Sequence, residues 1–76
     1  MSQWSIRSGE DLGRALAGIR HERGLTQQQV ADATGLERSY LARLESGATV
    51  KQLDRALRVL RRLGTEITVQ DDASTP

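Results

Sequence analysis

Apolar residues recur every three or four positions in four segments of the chain, which is the spacing of helices that bury one face. Residues 9–22, 27–34, 37–45 and 50–63 are predicted to be helical, with Leu36 filling the junction between the second and third segments. Start signals precede three segments, each with an acidic or amide residue three positions later: Ser8 with Asp11, Thr26 with Gln29, and Thr49 with Gln52. Stop signals follow three segments: Gly24, Gly35 and Gly64.

After Gly64 the period changes from helical to alternating, which predicts a strand over residues 65–70. A lone strand leaves its backbone groups unpaired, and no other segment is a convincing strand. The simplest arrangement pairs this strand with its copy in a second subunit across a two-fold axis. Pairing with the extended segment 4–7, or addition to a partner's sheet, are the alternatives. The residues predicted at the dimer interface are Leu60, Leu63, Ile67 and Val69.

Composition limits what such a chain can be. Its 76 residues suffice for one small domain, and the absence of cysteine excludes disulfides and zinc–thiolate sites. No signal peptide or membrane span is recognisable, so we expect a cytoplasmic, nucleoid-associated protein without membrane contact. The predicted organisation is an N-terminal extension (1–7), a helical domain (8–64), a dimerisation strand (65–70) and a disordered tail (71–76). Without the two aspartates of that tail, the net charge of +1 becomes +3.

Residues 25–47 predict a helix-turn-helix, the unit that places its second helix in the major groove of DNA. The side chains opposite Leu41 and Leu44 on that second helix are candidates for reading bases: Glu37, Arg38, Ser39 and Arg43. Arginine is the most specific of these, because it can bind guanine O6 and N7 together. Candidates for the DNA backbone lie at the helix starts and beside the reading helix: Thr26, Gln27, Gln28, Tyr40, Ser46, Thr49 and Lys51.

The same segment resembles the helix-turn-helix of the Xre/Cro/C1 repressor family. The matching pieces are Leu25-Thr26-Gln27, Val30-Ala31, Gly35-Leu36 and Leu44-Glu45-Ser46-Gly47. The resemblance implies an all-α, lambda-repressor-like domain of four to five helices, here followed by one short C-terminal β-strand that pairs in a homodimer. It also implies phosphate contact at Gln27 and base contact at the four reading positions. The acidic Glu37 departs from the family pattern.

Four helices followed directly by a strand also resemble the HipB-type antitoxins. That resemblance implies a homodimer that binds an inverted-repeat operator, represses its own operon and neutralises a HipA-type serine/threonine kinase toxin. The alternatives are a stand-alone Xre-type regulator without a toxin, and a protein-interaction module that no longer reads DNA.

Catalysis is not predicted, and neither is a cofactor or a metal. His21 is the one histidine, and it lies near a helix end, where a histidine usually complements the helix dipole. Trp4 is either a contact for a partner or a residue packed on the first or fourth helix. Four arginines follow one another along the fourth helix, and they form either a solvated face or a contact for an acidic partner or flanking DNA: Arg55, Arg58, Arg61 and Arg62.

Overall fold

The computed structural model describes residues 3–48 and 51–70, which form four helices and a two-stranded sheet. The prediction for Thr49 as a helix cap and phosphate contact, and that of a disordered tail at 71–76, lie outside the described residues. In chain order the elements are β1 (Gln3–Ile6), α1 (Gly9–Glu22), α2 (Gln27–Thr34), α3 (Arg38–Glu45), α4 (Lys51–Arg62) and β2 (Ile67–Gln70).

The start of α1 is held by two side chains. As predicted, Ser8 caps the helix, and its Oγ accepts a hydrogen bond from the Asp11 amide at 3.2 Å. The Asp11 carboxylate reaches one residue further back than a capping box requires and accepts from the Arg7 amide at 3.0 Å. Asp54 of α4 accepts from the Gly9 amide at 3.0 Å, so the first turn of α1 is fixed to α4.

β1 and β2 pair antiparallel within the chain, with Trp4 opposite Val69 and Ile6 opposite Ile67. The prediction that the chain holds no second convincing strand is therefore wrong. Among the alternatives considered for the C-terminal strand, the structure has the pairing with the N-terminal segment. The prediction had favoured pairing with the same strand of a second copy. Pairing inside one chain needs no association of subunits, and the alternation in both strands gives the sheet an apolar face to bury.

That apolar face lies against the helices. Ile6, Ala15 and Leu57 are buried together. Partly buried side chains pack around them: Trp4, Leu12, Leu53 and Val69. The opposite face of the sheet is polar and exposed, and there Ser5 Oγ donates to Glu66 Oε1 at 2.9 Å.

Trp4 lies against α1, which is one of the two roles considered for it. A Cβ added at Gly18 would come within 2.4 Å of the indole ring, so a larger residue there would displace Trp4. Its indole Nε1 is buried and has no hydrogen-bond partner among the described residues. Trp4 thus joins β1 to the core of the domain.

Three small or buried residues lie where the helices approach each other. A Cβ at Gly13 would lie 2.3 Å from the Leu44 carbonyl oxygen, so α1 and α3 contact each other backbone to backbone. Ala31 and Leu41 are buried in α2 and α3. Leu36 is 46% exposed, so the prediction that it fills the junction between these helices is wrong. Ala31 and Leu41 are the buried residues of the two helices, and Leu36 lies outside, in the turn.

Candidate nucleic-acid interface

The start of α2 leaves two backbone amides available to an outside acceptor. Thr26 and Gln29 form the predicted capping box: the Gln29 amide donates to Thr26 Oγ1 at 3.0 Å, and the Thr26 amide donates to Gln29 Oε1 at 2.8 Å. The capping box provides acceptors for the amides of Thr26 and Gln29, but not for the amides of Gln27 and Gln28. Unpaired amides at the positive end of a helix dipole suit a phosphate.

The turn between α2 and α3 depends on Gly35. Its φ of +73° lies in the left-handed region, which a residue with a Cβ adopts only at a cost. The Leu36 amide then donates to the Ala31 carbonyl at 3.1 Å and closes the end of α2. The prediction of a glycine-dependent turn is confirmed, and this turn sets the direction in which α3 leaves α2.

The reading helix begins one residue later than predicted. Glu37 is the N-cap of α3 and makes no capping bond with its side chain. Arg38, Ser39 and Arg43 are exposed, whereas Leu41 faces inward. The predicted base-reading side chains are therefore all on the accessible part of this helix, and the Glu37 carboxylate is not used to cap it.

The predicted contacts fall on two sides of the start of α3. A concave surface, which we call the α1–α2 concavity, is lined by Gln27, Gln28 and Arg38 together with Arg20 and His21. Glu37 and Tyr40 line a second, separate hollow with Gly35 and Leu36. Arg38 is thus the base-reading candidate that lines the same hollow as Gln27 and Gln28, two of the residues predicted to contact phosphate.

Several predicted backbone contacts already have partners inside the chain. Gln28 Nε2 donates to Asp32 Oδ1 at 2.8 Å, and Ser46 Oγ donates to the Arg43 carbonyl at 2.8 Å. Lys51 is exposed at the first residue of α4 and lines neither hollow. For Gln28 this leaves the backbone amide, rather than the side chain, as the group most available to phosphate.

Glu45 joins the reading helix to the rest of this surface. Its carboxylate accepts from Arg20 Nε at 2.8 Å, Arg20 Nη2 at 2.9 Å and Gln27 Nε2 at 3.1 Å. Arg20 Nη1 also donates to the Leu25 carbonyl at 2.8 Å. The Arg20 and Glu45 side chains are only 12% and 7% exposed. One carboxylate therefore fixes the end of α1, the start of α2 and the end of α3 relative to one another.

This pairing shifts both pKa values. The hydrogen bonds from Arg20, opposed by burial and aided by Gln27, lower the pKa of Glu45. The hydrogen bond to Glu45 raises the pKa of Arg20. Sequence reasoning assigned Gln27 to this surface but missed Arg20 and Glu45. No local signal could have paired two residues that are 25 positions apart.

The predicted dimer residues differ in exposure. Leu63 is 70% exposed and Ile67 36% exposed, whereas Leu60 and Val69 are half-buried and Val69 packs on the core. Val59, one helical turn before Leu63, is 57% exposed and was not predicted. We call Val59, Leu63 and Ile67, which are exposed large apolar residues of α4, of the turn after it and of β2, the exposed apolar group.

Comparison with known proteins agrees with this geometry. A family model described as a helix-turn-helix domain matches residues 11–72, which include α1 except for its first two residues, the other three helices and β2. The chain belongs to this helix-turn-helix family. A protein of Sinorhizobium fredii, named as the uncharacterised HTH-type transcriptional regulator y4mF, is 30% identical over 64 residues, which are 84% of each chain. No solved structure matches the chain.

The described residues of this helix-turn-helix protein hold neither a membrane-spanning helix nor a cluster of metal ligands. None of the described helices is long and apolar enough to cross a membrane. Residues 3–48 and 51–70 also contain no group of three or more side chains placed to ligate a metal.

The Glu45 network predicts a pH dependence of stability. The pKa of Glu45 is lowered from its ordinary value of 4.5, so its contribution is complete above that pH and is lost as the pH falls through the folded-state pKa. We expect Glu45→Gln to lower the Tm by several degrees at pH 7. The difference from wild type should shrink below pH 4.5. Thermal unfolding followed by circular dichroism between pH 7 and pH 3 measures this difference.

Glu10→Gln is the matched control, because Glu10 pairs with Arg14 on the exposed side of α1. An exposed pair contributes little, so this variant should lose about 0.5 kcal/mol or less. A Glu45→Gln deficit that stays constant from pH 7 to pH 3 would show that the Glu45 charge does not support the fold.

Proposed function

We propose that this protein is a sequence-specific DNA-binding transcriptional repressor that acts as a homodimer on an inverted-repeat operator near its own gene. It acts by binding rather than by catalysis, and its place of action is the nucleoid. The observation that carries the proposal is the α1–α2 concavity, which Gln27 and Gln28 at the start of α2 line together with the exposed Arg38 of α3. A phosphate at the amides of Gln27 and Gln28 would place Arg38 next to the groove.

Charge alone would not produce this function. A net charge of +1 is far from that of a protein that binds DNA mainly through its overall charge. Binding must instead come from groups held in position, and the Glu45 network holds the elements that carry them. Membership of the helix-turn-helix family and the name of the Sinorhizobium fredii relative support the same function.

The experiment that tests this function uses the DNA immediately upstream of the gene, with a scrambled duplex of equal length. The wild type should prefer the upstream duplex. Arg38→Ala should lose about 1–3 kcal/mol of discrimination at one base pair in each half-site, because a bidentate contact to guanine is removed. Fluorescence anisotropy with singly substituted duplexes measures that loss position by position.

Lys51→Ala is the control, because a phosphate contact carries no sequence information. Its binding should weaken about equally on all duplexes, and the slope of log affinity against log salt should flatten by about 0.9 per protomer. An Arg38→Ala variant that loses the same affinity on every duplex would exclude Arg38 as a base reader. Equal wild-type binding to upstream and scrambled DNA would exclude specific recognition altogether.

The exposed apolar group supports the dimer. Val59 and Leu63 lie one helical turn apart at the end of α4 and are both exposed, so a second copy that covers this end of the helix would bury both side chains. In a two-fold dimer each copy would cover the group of the other, and the two reading helices would reach half-sites about 34 Å apart. The edges of β1 and β2 that face away from each other offer a second place for such contact.

Leu63→Glu should convert the dimer into a monomer, because it places a charge in the centre of the apolar contact while removing little buried surface from the monomer. Gln52→Glu adds the same charge at an exposed position of α4 and should leave the dimer intact. Sedimentation equilibrium gives the mass of each variant. A monomeric wild type, or a Leu63→Glu variant that still dimerises, would contradict the proposed interface.

A second function, that of an antitoxin for a HipA-type kinase toxin, is supported by a separate observation. Arg55, Arg58 and Arg62 are exposed on α4, and none has an ion-pair partner within the described ranges 3–48 and 51–70. Arg61 differs, since its Nη1 donates to the Arg7 carbonyl at 3.3 Å. Three unpaired cations on one helix suit an acidic protein surface, and the order of four helices and a strand resembles the HipB-type antitoxins.

Co-expression with a kinase-like gene next to this one tests the antitoxin role. The wild type should form a complex with the kinase and restore growth. The triple variant Arg55→Gln, Arg58→Gln, Arg62→Gln should lose the complex but still bind the operator. Absence of a complex with the wild type would leave a stand-alone regulator. Loss of operator binding in the triple variant would assign these arginines to DNA instead.

A further inference from the structure

Two large apolar side chains are exposed where the turn of the helix-turn-helix meets α3. Leu36, which the sequence pattern places inside, is 46% exposed, and Tyr40 in the first turn of α3 is 39% exposed. Both line the second hollow, together with Gly35 and Glu37. The proposed function gives this apolar pair no role.

The position of Leu36 is fixed by the backbone of the turn. Gly35 precedes it with a φ of +73°, and the Leu36 amide donates to the Ala31 carbonyl at 3.1 Å. A side chain just before a helix cap often packs against the fourth helical residue, here Leu41, and such packing would account for the covered half of Leu36. The exposed half is held at the start of α3, where it faces whatever that helix binds.

The charge beside the apolar pair indicates which part of DNA would cover it. Glu37 is the N-cap of α3 and makes no capping bond with its side chain. It also has no ion-pair partner within residues 3–48 and 51–70. An exposed carboxylate without a cation repels phosphate, so the second hollow suits the base edges inside the groove better than the sugar-phosphate backbone.

The place of the pair in the motif agrees with contact to bases. In a helix-turn-helix, the N-terminal residues of the second helix contact base edges in the major groove. Leu36 lies just before that end of α3 and Tyr40 lies in its first turn. The apolar group that ordinary base pairs present in the major groove is the C5 methyl group of thymine. Apolar side chains at this place therefore match thymine.

We propose that Leu36 and the ring of Tyr40 contact the C5 methyl group of one thymine in each half-site of the operator. The proposal rests on the proposed DNA-binding function and deepens it, because it adds a second base-reading position beside Arg38. It also moves Tyr40 from the DNA backbone, where the sequence analysis places its contact, to a base. Arg38 and Leu36 then read different base pairs from the two sides of the start of α3.

Deoxyuridine isolates this contact, because it lacks the C5 methyl group of thymine and keeps every hydrogen-bonding group. The probe is the duplex from upstream of the gene, prepared once with thymine and once with deoxyuridine in its place. The wild type should bind the deoxyuridine duplex at least about fourfold more weakly per half-site, which is the loss expected when one methyl-sized group is no longer buried. Fluorescence anisotropy measures both affinities, and singly substituted duplexes then locate the thymine.

Three variants assign the methyl contact to side chains. Leu36→Ala should bind the thymine duplex more weakly than the wild type and lose most of the difference between the two duplexes. Leu25→Ala is the matched control, because Leu25 is 38% exposed but lines the α1–α2 concavity instead, and it should keep the wild-type difference. Tyr40→Phe removes only the hydroxyl and should keep it too. Circular dichroism establishes that each variant is folded.

The outcomes are distinct. Equal wild-type affinity for the thymine and deoxyuridine duplexes, with the preference over scrambled DNA retained, would overturn the methyl contact and leave specific DNA binding intact. A Leu36→Ala variant that has a lower Tm but the wild-type difference between the duplexes would show that Leu36 only packs on its own helix. A wild type that does not prefer the upstream duplex to the scrambled one would overturn the proposed function, and this proposal with it.

Discussion

The Glu45 carboxylate is the contact on which the arrangement of this molecule depends. It accepts hydrogen bonds from Arg20 and Gln27, so a single acid at the end of α3 fixes the end of α1 and the start of α2. The net gain from forming a buried ion pair is small because desolvation offsets much of the attraction, whereas removing one partner destabilises the fold because the other charge stays buried and unpaired. The pair also fixes geometry, because it keeps the end of α3 and the start of α2 in one relative position.

The remaining parts of the surface complete this geometry. Gly35 allows the sharp turn into α3, and the Thr26–Gln29 box leaves the amides of Gln27 and Gln28 for an outside acceptor. Gly13 brings α1 against the backbone of α3. Because the chain carries so little net charge, recognition of DNA must depend on where these groups are placed rather than on how many cations there are.

Sequence reasoning was most successful where the cause is local. Capping at Ser8 and Thr26, the turn at Gly35 and the bounds of α1 each depend on a few neighbouring residues, and each was predicted correctly. The pairing of β1 with β2 was ranked below pairing between subunits. The sequence of a four-residue strand does not indicate which distant segment lies beside it in the folded chain. The same holds for the contact between Arg20 and Glu45, and for the exposure of Leu36 and Val59.

The most direct test of this account is an NMR titration of the isotope-labelled protein with the duplex from upstream of its gene. If DNA docks at the starts of α2 and α3, the largest amide shifts will occur at Gln27 and Gln28 and at Arg38 and Ser39. The amides of β1 and β2 will then change little. Shifts concentrated along α4 or the sheet, with the start of α2 unchanged, would contradict the central claim.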